Sequence, residues 1–123
     1  MIKGLKNNIL LYSYNMGHIY LINESGTENY KIGLTKNPTK KRKSQLQTGN
    51  SSELVVVKSF ETKHPARLEK LLHMQHANKR GLGEWFLLEP EDVFGFISLC
   101  EKLTETINYL LLNNEFFNKE FNN

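Results

Sequence analysis

The sequence has little cysteine and little proline, and the shortage of cysteine excludes two kinds of protein. Its 123 residues include a single cysteine, Cys100, and three prolines. A single cysteine excludes an internal disulfide and a zinc site built from cysteines. It also fits an intracellular, reducing compartment. We expect Cys100 to act as a small buried hydrophobic residue.

Long apolar runs and a strong charge imbalance are missing as well. No apolar run approaches the roughly 18 residues that a transmembrane helix needs, and we find no secretory signal with a small-residue cleavage site. We therefore expect no membrane association. The net charge of +3 and the pI of about 9.0 permit a polyanionic partner but do not establish one.

What the chain does contain is enough material for one hydrophobic core. Hydrophobic residues make up 39%, including seven Phe, five Tyr and one Trp. No linker or internal repeat divides the chain, so we expect a single domain over residues 1–123. Its core would span about 17–97, followed by a C-terminal helix over about 90–114 and a frayed tail over 115–123. Residues 1–16 would form an extra strand or arm.

Periodicity predicts the order of the elements. Strands are expected in HIYLI, YKIGL, ELVVVKSF and GEWFLL, the first two as a hairpin around the seven-residue loop NESGTEN. Helices are expected in NPTKKRKSQLQT, PARLEKLLHMQHANKRG and PEDVFGFISLCEKLTETINYLLLNN. Asn37 and Pro38 would begin the first helix, and Gly49 would end it. This order predicts an α/β (α+β) fold, with a small, mainly antiparallel β-sheet of three to four strands flanked by helices.

The hairpin could carry chemistry on one of its faces. Because side chains alternate along a strand, Tyr20 and Lys31 would lie on the same exposed face. The ammonium group would then lower the pKa of the phenol, or a desolvated Lys31 would itself be a base. The alternative is an ordinary two-faced hairpin.

A run of cations follows the hairpin. Arginine forms planar, bidentate contacts with phosphate oxygens, so the run is a candidate nucleic-acid-binding surface; a plain solvated helix face is the alternative. Its members are Lys36, Lys40, Lys41, Arg42 and Lys43.

Acidic and aromatic residues follow on later elements. Glu69 and His73 are four residues apart, and helical spacing places them on one stripe at the border of the apolar face. A partly sheltered carboxylate is a ligand that a hard divalent cation prefers, although a surface Glu69–His73 pair would have the same pattern. In GEWF, Glu84 precedes Trp85 and Phe86, which are candidates for core packing.

Taken together and in this order, these segments resemble the GIY-YIG nuclease superfamily. More narrowly, they resemble its phage- and virus-associated branch, whose second motif reads KIG. The resemblance covers about residues 17–97 and depends on five segments in order. These are GHIY at 17–20, YKIGLT at 30–35, Arg42 followed by Leu46, LEKLLH at 68–73 and GEWF at 83–86.

The resemblance implies a metal-dependent endonuclease that hydrolyses DNA phosphodiester bonds. Tyr20 matches the tyrosine of the first motif, Lys31 stands in place of the second-motif tyrosine, and Gly33 matches the second-motif glycine. Arg42 would clamp a phosphate oxygen, and Glu69 would be the single protein ligand of Mg²⁺ or Mn²⁺. Either Tyr20 or Lys31 would be the base.

Several positions extend this pattern or depart from it. His73 matches a histidine that follows the glutamate in this branch, and Tyr30 and Glu84 are further auxiliary candidates. His18 stands where the first motif has a glycine, and no residue matches the C-terminal asparagine of many members with confidence.

The expected partner is DNA, duplex or branched, and no membrane. Whether the chain is a monomer or a homodimer stays open, because the apolar stripe of the last helix could serve a core or a dimer. If the protein is viral or from a phage, it would act in the host cytoplasm or nucleus. The alternative function is a catalytically inactive module that keeps the fold and binds DNA or another protein.

Overall fold

One antiparallel sheet of four strands organises the described residues. The computed structural model describes residues 16–36 and 39–113, and within them the strand order is β3-β1-β2-β4, with every neighbouring pair antiparallel. This confirms the α+β fold predicted from the sequence. The strands are β1 (Gly17–Glu24), β2 (Asn29–Thr35), β3 (Leu54–Thr62) and β4 (Trp85–Leu87).

The hairpin loop between β1 and β2 is shorter than predicted. β1 continues to Glu24 and β2 starts at Asn29, which leaves four residues between the strands instead of seven. Gly26 supplies the positive φ of +80° that the turn needs. The Asn23 amide then donates hydrogen bonds to the carbonyls of Thr27 and Asn29, both at 3.0 Å. Asn23 and Asn29, which we assigned to the loop, therefore help to close it from the strand ends.

The described residues include four α-helices beside the sheet, and two of their boundaries correct the predictions. The predicted second helix ends at Gln75 and gives way to a 3₁₀ turn over Ala77–Lys79. The predicted long last helix is two helices separated by Gly95, consistent with the low helix propensity of glycine. The helices are α1 (Thr39–Thr48), α2 (Pro65–Gln75), α3 (Pro90–Phe94) and α4 (Phe96–Asn113).

Some predictions fall on residues beyond the described ranges. These are the helix start at Asn37 and Pro38, the N-terminal arm over 1–16 except for residue 16 itself, and the tail over 115–123. The end of α1 at Thr48 agrees with the predicted stop at Gly49. Among the described helices, none is both long enough and apolar enough to span a membrane.

The two faces of the sheet are packed differently. The core face, which carries Ile19, Leu21 and Ile32, is covered by α2 and α4 in one apolar cluster. Cys100 of α4 lies in that cluster, and burial raises the pKa of its thiol to about 12. This confirms its predicted role as a small buried hydrophobic residue.

The opposite face is the α1 face, which carries Tyr20, Ile22 and Lys31. A smaller apolar cluster covers part of it, in which Leu46 of α1 and Trp85 of β4 pack against Tyr20 and Ile22. Within the described part of the chain, one short, polar helix shields this face, whereas two apolar helices cover the core face. Polar groups can therefore gather on the α1 face close to solvent.

Candidate active site

Tyr20 and Gly33 form the floor of the candidate site. They are direct cross-strand partners in β1 and β2. A Cβ atom on Gly33 would overlap the phenol ring and hydroxyl of Tyr20. The phenol can therefore lie over this position only because glycine has no side chain. Tyr20 is only 1% exposed. The prediction that it shares a face with Lys31 is confirmed, but the prediction that this position is exposed is wrong, because α1 packs over it.

Arg42 of α1 meets the Tyr20 hydroxyl. Its side chain hydrogen-bonds the phenol oxygen, which lowers the pKa of Tyr20, but burial outweighs this and raises that pKa above its ordinary value of 10.0. The charges of Glu84 and Glu69 raise it further. The predicted lowering of the phenol pKa is therefore wrong for the protein without bound ligands, and Arg42 is the cation that contacts the hydroxyl.

Lys31 is engaged with β4. Its Nζ lies 3.5 Å from Oε2 of Glu84 and 5.5 Å from the centroid of the Trp85 ring. Lys31 and Trp85 are cross-strand partners, which fixes this contact. Lys31 and Glu84 therefore form an ion pair beside Tyr20. Glu84, which the sequence marked only as auxiliary, belongs to the centre of the cluster.

The edge of β2 positions Glu69. β4 pairs with residues 29–31 of β2, and no strand of the described ranges pairs with the next part of β2 on that side. Side chains of α2 fill the gap: Glu69 accepts a hydrogen bond from the backbone N–H of Leu34, and Nε2 of His73 donates to the Ile32 carbonyl at 2.8 Å. The i, i+4 pair that the sequence singled out therefore takes the place of a neighbouring strand.

Glu69 is a sheltered carboxylate near a second one. Burial raises the pKa of Glu69 above its ordinary value of 4.5, and the charge of Glu84 adds to the rise. His73, the Leu34 N–H and Lys31 oppose it. A cation would relieve the repulsion between the two carboxylates, and their oxygens are the donors that Mg²⁺ prefers. The donor set thus suits a divalent metal.

The number of protein ligands in the described chain is small. Within residues 16–36 and 39–113, no group of three or more His, Cys, Asp and Glu side chains is placed to hold a metal ion. Mg²⁺ commonly keeps several waters and binds through one or two carboxylates together with substrate phosphates. Glu69, with Glu84 nearby, fits that mode of binding and does not fit a metal site enclosed entirely by protein ligands.

Other predicted residues lie around or away from this cluster. Tyr30 packs against the core cluster on the opposite face, so it does not join the site. Lys36 and Lys41 are exposed, Lys43 is half-buried, and the side chain of Lys40 lies outside the described set. Among the described contacts, Arg42 and Lys31 are cations that the structure brings to the cluster.

Two local features escaped the sequence analysis. The ring of Trp85 lies between Lys31 and the rest of the α1 face, although GEWF indicated only a core residue. The Nδ1 atom of His18 is buried and has no hydrogen-bond partner among the residues that the structure describes. The alternation of β4 against β2 would have placed Trp85 opposite Lys31, but this pairing is not visible in the sequence alone.

Comparison with known families identifies the family to which the chain belongs. The model of the T5orf172 domain matches residues 17–101, most of the chain, and the protein therefore belongs to the T5orf172 domain family. This is a phage-associated domain related to nucleases of the GIY-YIG and HNH-like types, and it points to a nuclease or DNA-binding role. No curated protein and no solved structure matches the chain significantly.

Proposed function

We propose that this member of the T5orf172 domain family is an endonuclease of the GIY-YIG type that hydrolyses DNA phosphodiester bonds with a single divalent cation. One observation carries the proposal. Tyr20, Arg42 and Glu69 come from a strand and two helices far apart in the sequence. The Tyr20 phenol lies over Gly33, where Arg42 hydrogen-bonds it and the charge of Glu69 acts on it. These three are the residues that the resemblance to the GIY-YIG superfamily selects.

Glu69 would hold the metal, with Glu84 as the nearby second carboxylate. When bound, Mg²⁺ or Mn²⁺ supplies Lewis-acid polarisation of the scissile phosphate. The hydrogen bond from Leu34 fixes the Glu69 carboxylate at the sheet edge, so its position does not depend on the metal. A preorganised ligand of this kind is what a metal-dependent site requires.

Arg42 and Tyr20 would act on the phosphate and on the attacking water. The guanidinium would bind a non-bridging phosphate oxygen as negative charge develops. As the water oxygen bonds to phosphorus and the bond to the leaving oxygen breaks, Tyr20 in its phenolate form would accept the water proton. Because the pKa of Tyr20 is raised, this phenolate is scarce at neutral pH, but it is a strong base.

Lys31 is the weaker candidate for the base. Its ammonium group is paired with Glu84 at 3.5 Å, and a paired ammonium has no lone pair with which to accept a proton. We therefore assign Lys31 the role of placing Glu84 and attracting the phosphate backbone. Lys36, Lys40, Lys41 and Lys43 would extend the contact with the backbone, so binding would weaken as salt rises.

The alternative is an inactive module that binds DNA or another protein, and one observation favours it. The Tyr20 hydroxyl is buried, its pKa is raised, and its hydrogen bond with Arg42 occupies part of the guanidinium. A site that stayed closed in this way would bind phosphate without cleaving it.

A metal titration separates the two functions. Supercoiled plasmid and a branched duplex are incubated with the protein in EDTA, then with increasing Mg²⁺ or Mn²⁺, while DNA binding is followed in parallel. An endonuclease binds in EDTA and cleaves when the metal is added. Binding that persists without cleavage at any metal concentration would support the inactive module and contradict the endonuclease.

A further inference from the structure

A concavity of about 350 Å³ lies beside the candidate site. Leu82 and Leu87, which line it together with Trp85, are 87% and 59% exposed. Large apolar side chains exposed together beside a cavity indicate a binding surface. The volume falls within the range of sites that hold small organic groups.

The polar lining is selective in its chemistry. The carboxylate of Glu24 can only accept hydrogen bonds when ionised, whereas the amides of Asn29 and Asn50 can donate and accept. An indole ring and leucines offer a stacking surface, and a carboxylate and amides offer hydrogen bonds to the edge of a planar heterocycle. Enzymes that hold an unstacked nucleobase use this combination of groups.

The concavity lies on the same side of the sheet as the candidate site. Asn29 and Leu87 are cross-strand partners, as are Lys31 and Trp85, and alternation places all four on the α1 face. The ring of Trp85 contributes to both places, since it lines the concavity and lies 5.5 Å from Lys31 Nζ. Gly33 lies four residue steps after Asn29 in β2, about 13 Å along the strand, which a few nucleotides span.

Hydrogen bonds to backbone carbonyls fix the turn that carries Leu82. The N–H of Gly81 donates to the Trp85 carbonyl at 2.7 Å, and the N–H of Trp85 donates to the Leu82 carbonyl at 3.0 Å. Gly83 supplies a φ of +60°, and Arg80 Nε donates to its carbonyl at 2.7 Å. Leu82 is therefore an exposed apolar side chain on a fixed support, as a wedge between bases must be.

We propose that this concavity, between Trp85 and the Leu82 turn, binds an unstacked nucleobase of the DNA strand that enters the candidate site. Leu82 and Trp85 contact the base faces, and Glu24 accepts a hydrogen bond from an exocyclic amino group. Adenine and cytosine carry that amino group, whereas thymine does not. The proposal rests on the proposed function for the strand's path, but base binding itself needs neither metal nor cleavage.

The single tryptophan makes a direct test available. Trp85 is the only tryptophan in the chain, and its ring lines the concavity on one side and faces Lys31 on the other. The abasic strand therefore serves as the control for phosphate contacts that change its fluorescence from the Lys31 side. Octanucleotides of deoxyadenosine, deoxycytidine or thymidine, and an abasic strand with the same number of phosphates, are titrated in EDTA. We expect the adenine and cytosine strands to quench Trp85 and to bind about 5- to 100-fold more tightly than the abasic strand. The thymidine strand should bind between the abasic and the adenine values, because thymine can stack on Trp85 but offers no amino group to Glu24.

Two leucines provide the matched variants. Leu82→Ala should remove most of the gain over the abasic strand. Leu112→Ala, at a site of 84% exposure on α4, should remove none. Equal affinity for the adenine and abasic strands, or an unchanged gain in Leu82→Ala, would overturn the proposal, and equal affinity for adenine and thymidine strands would overturn the role of the amino group.

The outcome is independent of cleavage. If base-dependent quenching is found and no metal supports cleavage, the base pocket stands and the endonuclease fails. If metal-dependent cleavage is found and the base makes no difference to Trp85, the endonuclease stands and the base pocket fails.

Discussion

The two faces of the sheet bury different kinds of side chain in this protein. The core face buries Ile19, Leu21 and Ile32 under two helices, with the buried thiol of Cys100 among them. The α1 face buries a phenol against a guanidinium and sets an ion pair, Lys31–Glu84, beside them. Residues of both faces alternate along the same strands, so the difference comes from what covers each face.

The comparison separates stability from function. Apolar burial on the core face gives most of the free energy of folding. Burial of Tyr20 on the α1 face and of Glu69 at the edge of β2 raises the pKa values of both groups, which shows that their charged forms are disfavoured there. Perturbed groups of this kind cluster at functional sites. Substitutions on the two faces should therefore affect different measurements.

The largest effect on stability should come from the core face. Leu72 is fully buried between α2 and the sheet, so Leu72→Ala should lower the free energy of unfolding by about 2–5 kcal/mol. Urea denaturation followed by circular dichroism measures it. Met74→Ala on the same helix, at an exposed position, should change it little. Equal losses in the two variants would contradict the assignment of the core.

Filling the floor of the site should have the next largest effect. In Gly33→Ala the new methyl group overlaps the Tyr20 ring, and we expect a loss of about 1–3 kcal/mol together with loss of cleavage. Gly49→Ala is the matched control, because a Cβ there meets no atom within 4 Å.

A double-mutant cycle tests the cause of that loss. In a Tyr20→Ala background the overlap is gone, so Gly33→Ala should cost much less there than in the native chain. If the two losses simply add, the contact between Tyr20 and Gly33 is not the reason.

The pH dependence of cleavage should be smaller but diagnostic. Because burial holds the pKa of Tyr20 above 10.0, the phenolate fraction grows about tenfold per pH unit. We expect single-turnover rates in Mg²⁺ to rise with that slope from about pH 7 to pH 9, and Lys31→Met to keep the slope at a lower rate. Tyr20→Phe should remove it. A slope that survives in Tyr20→Phe and disappears in Lys31→Met would make Lys31 the base.

The smallest predicted effect is a gain in stability. The pKa of Glu69 is raised in the folded protein, so the folded state holds that proton more tightly than the unfolded state. The resulting stabilisation is complete below the unfolded pKa, near 4.5, and is lost as the pH rises through the raised value. Glu69→Gln keeps an acceptor for the Leu34 N–H without the charge. It should be more stable than the native chain at about pH 7.5, on the order of 1 kcal/mol.

The same measurement at low pH supplies the check. Near pH 4 the native carboxyl is largely neutral and the gain should shrink. Glu61→Gln, at an exposed position on β3, should show no gain at either pH. A gain that does not depend on pH would mean that the charge of Glu69 is not its cause.

The residues of the core face could be predicted from the sequence because strand alternation and helical spacing of apolar residues indicate which side chains are buried. Leu68 and Leu72 follow the helical period, and Ile19 and Leu21 follow the strand period. The break at Gly95 was missed because apolar spacing continues across it from Val93 to Ile97. The early end of α2 was missed because Lys79, Arg80 and Gly81 have the residue types of a helix end. A backbone change of one residue leaves no trace in that pattern.

For the candidate site, the sequence predicted which residues belong to it but not how they are arranged. The order of motifs selected Tyr20, Arg42 and Glu69, which the structure brings together. It did not predict that Tyr20 is buried or that Glu84 pairs with Lys31, because both depend on how α1 and β4 dock against β1 and β2. Which distant segments pair depends on tertiary packing across the whole chain, and the local pattern of one segment does not predict it.

The most direct test of the proposed active site is the cleavage of supercoiled plasmid by the native protein and by Glu69→Gln in Mg²⁺ or Mn²⁺. We expect the native protein to cleave only with metal. Glu69→Gln should stay folded and bind the plasmid in EDTA, and its cleavage rate should fall by at least about 100-fold. Cleavage by Glu69→Gln at the native rate would contradict a metal-dependent site built on this carboxylate.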